Sequence, residues 1–343
     1  MRTIRILAVL AMLSCTVNTE NQLIISDDII QIEKFPEEIS KNFSKFLDYP
    51  NGTILKLSES DSGFFMLDIT ARNNHFIHSY SKNNQSFQSE LIRKGDGPLE
   101  SFSAYTIDFH DQKIMVHDFD LKKVVEINFE NGKTEISEFK TDKYFNEIKY
   151  FNDSTFIATS SAPSKAKFYF INRSSMKTSF TKGSFDKIPK EIEVDQIPVF
   201  FQSIMGVNKT NNKVLNAYRW LDIIEIFDIN TDQSTYLQSP QKIRNQLVRG
   251  IDGKLTLDRG NGAIECYTDI AYTDLFIYAL FSGKKDTEPN AYLSNLIHIY
   301  DWKGNPIKQI TTDRNIMSIS VSPDNKTVYS FDIDKGEIIY FEL

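Results

Sequence analysis

Apolar residues along the chain come in short runs of four to six, broken at close intervals by polar turn residues. Asn51-Gly52, Asn83-Asn84, Gly95-Asp96-Gly97-Pro98, Asn131-Gly132, Asn211-Asn212, Asp252-Gly253, Lys303-Gly304-Asn305-Pro306, Pro323-Asp324-Asn325 and Lys335-Gly336 are the clearest of these breaks. No stretch keeps a helical period over three turns, so the pattern predicts an all-β chain. One run returns in altered form. Val124-Val125-Glu126-Ile127 and Ile223-Ile224-Glu225-Ile226 share the order apolar, apolar, acidic, apolar. Phe168 to Ile171, Leu296 to Ile299 and Ile338 to Phe341 keep its length and β character, and Phe76 to Ser79 is the faintest copy. The copies begin at 76, 124, 168, 223, 296 and 338. That spacing centres on roughly 40–50 residues, the size of one four-stranded propeller blade.

Six copies predict a six-bladed β-propeller, with blades at about 47–94, 100–140, 144–183, 198–238, 250–311 and 315–343. The fifth is enlarged by an insertion, Ser282 to Asn290. The sixth shows only three strands, 316–321, 327–331 and 337–343, so an N-terminal strand is expected to join it and close the ring. The β-branched run 23–32 is the expected source of that strand, and 35–46 reads as a loop or a helical turn. Closure would hide free strand edges. Residues 239–250 are the best local candidate for a short helix.

The head of the chain has a different character. Arg2 and Arg5 precede an apolar run, Ile6 to Leu13, too short to span a bilayer. Met12-Leu13-Ser14-Cys15 follows and resembles the bacterial lipobox, with Met where Leu is usual. The resemblance implies that residues 1–15 are a lipoprotein signal ending at Cys15, which carries the acyl chains. Residues 16–22 then form a tether and 23–343 the propeller. An ordinary cleaved signal, with Cys15 discarded, is the alternative. Several acyl chains would anchor the protein stably.

Composition narrows the function. The net charge of -7 leaves no basic surplus for phosphates, so no nucleic-acid partner is expected. The two cysteines are Cys15 and Cys266; with Cys15 acylated, Cys266 can form neither an intramolecular disulfide nor a Cys-based metal site, and it reads as a small buried residue. The histidines, His75, His78, His110, His117 and His298, show no metal-ligand spacing. The pairs Asp118/Asp120 and Asp332/Asp334 leave calcium open, although acids that end strands and enter turns are the preferred account of them. There is no Gly-x-Ser-x-Gly elbow, and Gly260-Asn261-Gly262 is a turn, not a dinucleotide fingerprint. No cofactor and no metal are expected.

Two stretches carry a family likeness: Arg93-Lys94-Gly95-Asp96-Gly97-Pro98-Leu99-Glu100-Ser101-Phe102, and Ile299 to Ile307 with Ser322 to Tyr329. With the lipoprotein start they resemble the TolB-like six-bladed propeller lipoproteins of Bacteroidetes. Leu99 stands where the family usually has a third Gly, and Ser101 separates Glu100 from Phe102. The likeness implies a six-bladed ring on a lipid anchor in the cell envelope, facing the periplasm or the cell surface. It implies no settled activity.

Propeller ligands bind at the mouth of the central channel. The candidates to line it are Tyr105 and Asp108 of the second blade, Tyr218, Arg219 and Trp220 of the fourth, and Tyr272 and Asp274 of the fifth. Arg93, Gly95 and Gly97 could form an anion nest, although a plain turn between blades explains the same residues. The leading expectation is a monomeric, non-enzymatic binding or scaffold module for a glycan, a peptide or an envelope protein. A lactonase-like hydrolase or lyase at the channel mouth is the alternative, and a purely structural envelope protein the third reading.

Overall fold

The structure, a computed structural model, describes residues 22–59, 63–82, 84–110, 113–130, 133–185 and 187–343. Cys15 and the rest of the signal and tether through residue 21 lie outside the described residues, as do Asn83 and Asn131-Gly132.

The described strands form six antiparallel blades of a propeller, each wound outward from the channel. Their innermost strands are Ile54–Glu59, Ala104–His110, Phe145–Asn152, Ser203–Asn208, Ile264–Tyr272 and Ser320–Val321. The returning motif occupies the third strand of every blade: His75–Ser81, Lys123–Glu130, Ala166–Asn172, Ile223–Asp228, Ser294–Asp301 and Glu337–Glu342. A middle strand is covered by a neighbouring blade on both faces, so it reads as an unbroken apolar run rather than an alternation. Ile223 to Phe227 are all buried, whereas the outermost strand Lys177–Ser184 is mostly exposed.

Apolar clusters fill the junctions between blades. Leu67, Ile77, Val116 and Val125 pack between blades 1 and 2. Phe168, Phe170, Met205 and Phe227 do the same between blades 3 and 4. Burying each such side chain contributes about 1.5–3 kcal/mol, so stability is spread over the junctions and not held in one core.

The N-terminal segment departs from expectation. Ser44–Asp48 closes the ring: it pairs antiparallel with Glu337–Glu342, Ile338 opposite Leu47, as the fourth strand of blade 6. The run 23–32 does not. Ile30–Gln31 lies parallel to the outer strand of blade 4, with Ile30 opposite Leu237, and Glu37–Lys41 lies parallel to the outer strand of blade 5. The closing strand must feed blade 1 directly, and 44–48 stands a few residues before Ile54. The earlier run instead buries Leu23 and Ile25 on blade 4, and Ile32 and Phe35 join the cluster between blades 4 and 5. The segment is therefore a belt across three blades, and 35–46 contains two strands, not a loop or helical turn.

Residues 239–250 are not helical. The Asp222 carboxylate accepts the N–H groups of Ser239 and Ile243 and fixes a turn, after which Leu247–Arg249 pairs with Leu255–Leu257 in a small hairpin. A short helix does form at Ile197–Phe200, behind a capping box of Glu193 and Gln196.

Candidate functional site

An innermost strand has one edge with no strand partner, so its N–H and C=O groups need other partners. Side chains of adjoining blades supply them. The Asp108 carboxylate in blade 2 accepts the Tyr150 N–H of blade 3 at 2.7 Å. Glu147 in blade 3 accepts the Met205 N–H of blade 4 at 3.1 Å. Asp269 in blade 5 accepts the Ile319 N–H ahead of blade 6 at 2.8 Å. Ser320 Oγ accepts the Leu57 N–H of blade 1 at 3.0 Å. Two lysines complete the girdle. Lys149 Nζ donates to the Ile107 carbonyl at 2.9 Å, and Lys56 Nζ pairs with Asp269 at 2.5 Å while donating to the Ile270 carbonyl at 2.7 Å.

These groups surround a channel of about 630 Å³ lined from all six blades. Its mouth lies where first strands turn into second strands, at Glu59, Phe109, Thr273 to Leu275, Pro323 and Asn325. The blade 5 turn at this mouth is pinned from both sides. Asn208 donates to the Asp274 carbonyl, Thr210 to the Asp274 carboxylate, and Thr273 to Asn325 Oδ1 at 2.6 Å. Leu275 is 61 % exposed at this mouth, and Tyr105, equally exposed, lines the other end of the channel, where its strand begins. Burial pushes the Glu147 carboxyl up to about 7 despite Lys149 beside it. Burial likewise lowers Lys56 and raises Asp269 from their ordinary values.

Of the sequence candidates, Tyr105, Asp108, Tyr272 and Asp274 line this channel. Tyr218, Arg219 and Trp220 do not, because they end the second strand of blade 4 and turn into its third. Tyr218 is buried and donates to Glu225, Arg219 pairs with Glu265 at 2.6 Å, and buried Trp220 lies under the guanidinium groups of Arg219 and Arg259, each 4.8 Å from its ring. Blade 4 reaches the channel through Ile204 and Met205 instead. Lys56, Glu147, Lys149 and Asp269 were missed by sequence reasoning. The available signal was a charged residue on a strand predicted to be innermost, as in Asn146-Glu147-Ile148-Lys149.

The loop of Arg93, Gly95 and Gly97 is an anion nest filled by the protein's own anion. Gly97 N–H donates to the Glu100 carboxylate at 3.1 Å, with Arg93 Nε 3.9 Å from the same group, and Gly95 N–H is spent on the Ser101 carbonyl. A Cβ on Gly95 would stand 2.0 Å from Glu100 Oε2. The loop therefore works as a blade connection rather than a site for an external anion.

Among the described residues, no group of three or more His, Cys, Asp and Glu side chains is placed to hold a metal. Asp118 ends a strand and accepts N–H groups of Phe102, Ser103 and Leu121 together with the Ser101 hydroxyl, which holds its carboxyl below the usual range against the cost of burial. Asp332 likewise ends a strand, accepting Lys335 N–H and pairing with Arg314 at 2.9 Å. Cys266 is fully buried, which raises its thiol well above the ordinary value. Among the described residues no helix is long and apolar enough to cross a membrane.

A family model described as TolB-like 6-blade propeller-like matches residues 33–324. Two solved structures from Bacteroides share the architecture. One is a member of the duf4221 family from Bacteroides vulgatus, 12 % identical, covering 88 % of this chain and 95 % of its own, with a TM-score of 0.56. The other, from Bacteroides fragilis, is described as an exported protein; it is 12 % identical and covers 89 % of this chain and 99 % of its own, with a TM-score of 0.53. At this identity the likeness is one of fold alone. No curated protein matches the chain.

Proposed function

For a chain that belongs to the TolB-like six-bladed propeller family, we propose a lipid-anchored binding module of the bacterial envelope that takes a glycan or peptide into the channel mouth. The anchor rests on Cys15 and its lipobox-like context. The observation that carries the binding role is the composition of the channel. At the mouth, exposed Leu275 and half-buried Phe109 offer apolar surface above a set of charges, Asp108, Lys149, Lys56 and Asp269, which are already engaged in protein contacts. Such a site can orient a polar ligand while stacking its apolar faces. The carboxylates of Asp108, Glu147 and Asp269 hold neighbouring blades together rather than standing open for acid–base work.

The test is calorimetry of the full chain against a panel of oligosaccharides and short peptides, repeated with Phe109→Ala and Leu275→Ala. Saturable binding weakened by both substitutions is the expected result. Turnover of any panel member, abolished by changing a channel residue, would overturn the reading in favour of a hydrolase or lyase.

A further inference from the structure

We propose that the end of the ring opposite the channel mouth is a membrane-docking face that lies on the lipid bilayer. This rests on the lipid-anchored reading above. In an up-and-down blade, the turn between second and third strands and the connector to the next blade lie at the same end, where innermost strands begin. Most exposed large apolar side chains of the described residues sit in these turns and connectors, among them Leu99, Phe102, Tyr144, Val199, Val248 and Ile251. The opposite end exposes far fewer, Leu275 in a turn and Phe87 at a strand start.

The most prominent of them are carried on built elements. The hairpin of Leu247–Arg249 and Leu255–Leu257 holds Ile251 fully exposed at its tip, and buries Leu247, Leu255 and Leu257 beneath. Lys254 fastens the hairpin to the short helical segment through Glu193 at 2.7 Å and Asp195 at 2.8 Å, and Gln196 Nε2 donates to the Leu255 carbonyl. Val199 stands exposed on that helix, whose Ile197 and Phe200 are buried. The apolar tips therefore stay exposed while their elements are held rigidly. Tyr and Phe at such tips suit the headgroup boundary of a bilayer.

The chain outside the structure says what covers this end. Gln22, the first described residue, bridges to Gln246, and Leu23 N–H donates to the Asn245 carbonyl, both in the connector between blades 4 and 5. The belt thus enters at the apolar end. Residues 16–21 separate Gln22 from Cys15, and at ~3.3–3.6 Å per residue the seven steps between the two span about 25 Å at most. An acylated Cys15 holds this end, and not the channel mouth, next to the lipid. The mouth then faces away from the membrane, open to ligand.

The experiment uses the full chain, acylated and reconstituted in vesicles of phosphatidylethanolamine and phosphatidylglycerol, with a nitroxide attached through Ile251→Cys or, as control, Leu275→Cys. Fatty-acid labelling of wild type and Cys15→Ala is read in parallel. The expected result is a several-fold rise in oxygen over nickel-chelate accessibility at position 251 and none at 275. Aqueous values at both positions overturn the docking face, whatever the labelling shows. Immobilisation at 251 without oxygen access also overturns it, since the cover is then protein. Lipid exposure at 251 without fatty-acid label on Cys15 supports the face and removes the anchor reading instead.

Discussion

Arg173 of blade 3 grips Glu126 of blade 2 with two nitrogens, Nε at 3.1 Å from Oε2 and the second on Oε1. Tyr150 donates to the same carboxylate at 2.7 Å, and Glu126 is 3 % exposed. The acid of the returning motif is thus a clamp between blades. Its counterpart Glu225 repeats the device between blades 3 and 4, where Lys167 Nζ lies 2.6 Å from it and 2.7 Å from the Tyr236 hydroxyl. Removing one partner of a buried pair strands the other, so Arg173→Ala is expected to cost about 3–5 kcal/mol. The double variant Arg173→Met with Glu126→Leu should lie closer to wild type than Arg173→Ala does. Denaturant midpoints of wild type and the two variants check this; equal losses in both variants would mean that the pair carries no special coupling.

The clamp also shows what was legible in the chain. The third strands announce themselves because both faces are buried, which makes their sequences continuous and alike. Hence the blade count and spacing could be read directly. The ring-closing strand could not, because Ser44–Asp48 is half exposed and its Phe46 packs on Tyr329 of its own blade at 5.6 Å and on Phe64 across the junction at 5.0 Å. The more apolar run before it drew the assignment, although it serves the outside of blades 4 and 5. At the channel, Tyr105, Asp108, Tyr272 and Asp274 followed from their place on or beside innermost strands. Arg219-Trp220 was misplaced because an aromatic beside a cation looks the same whether it faces a ligand or packs under Arg259. Charges that answer unpaired backbone edges, such as Glu147 and Lys56, are visible only once the blades are set side by side.

Glu147 gives the channel a pH signature. Its folded value near 7 stands above the ordinary 4.5, because burial disfavours the anion. The native state therefore holds the proton more tightly than the unfolded chain. This contribution to stability is full below the unfolded value and is lost as pH rises through about 7. Integrated over that window it amounts to about 3 kcal/mol. Glu147→Gln keeps an acceptor for Met205 N–H but has no proton to lose. Measured against wild type, the variant should gain stability between pH 5 and pH 8. Parallel stability curves over that range would exclude Glu147 as the titrating group.

His298 works in the opposite sense. It is fully buried, stacked between Phe35 at 4.9 Å and Phe281 at 5.0 Å, and neither ring nitrogen has a hydrogen-bond partner among the described residues. Burial drops it from 6.5 to about 3, so below pH 6.5 the unfolded chain takes up a proton that the native state refuses. Stability from this residue is full above 6.5 and falls as pH falls toward 3. His298→Leu removes the penalty. Whatever it costs in packing, the difference between variant and wild type should shift toward the variant by about 2 kcal/mol between pH 8 and pH 5. A difference that stays constant with pH would place the proton uptake elsewhere.

The belt and the closing strand can be separated by deletion. Removing 22–36 strips Leu23, Ile25, Ile32 and Phe35 from blades 4 and 5 and leaves Ser44–Asp48 on blade 6. At ~1.5–3 kcal/mol for each buried side chain the loss is about 6 kcal/mol or more, yet the ring stays closed. The outer edge of blade 4, Gln233–Gln238, is then open to pairing with other copies, so a folded but less stable and self-associating protein is expected. Removing 22–48 also takes Leu47 from opposite Ile338 and Tyr49's neighbouring strand from the junction of blades 6 and 1. That protein should not reach a cooperative native state, because the last blade keeps three strands and an open seam against the first. Thermal unfolding with light scattering distinguishes the two. If both deletions melted alike, ring closure would not depend on Ser44–Asp48; if the shorter one failed to fold, the belt and not the closing strand would hold the propeller together.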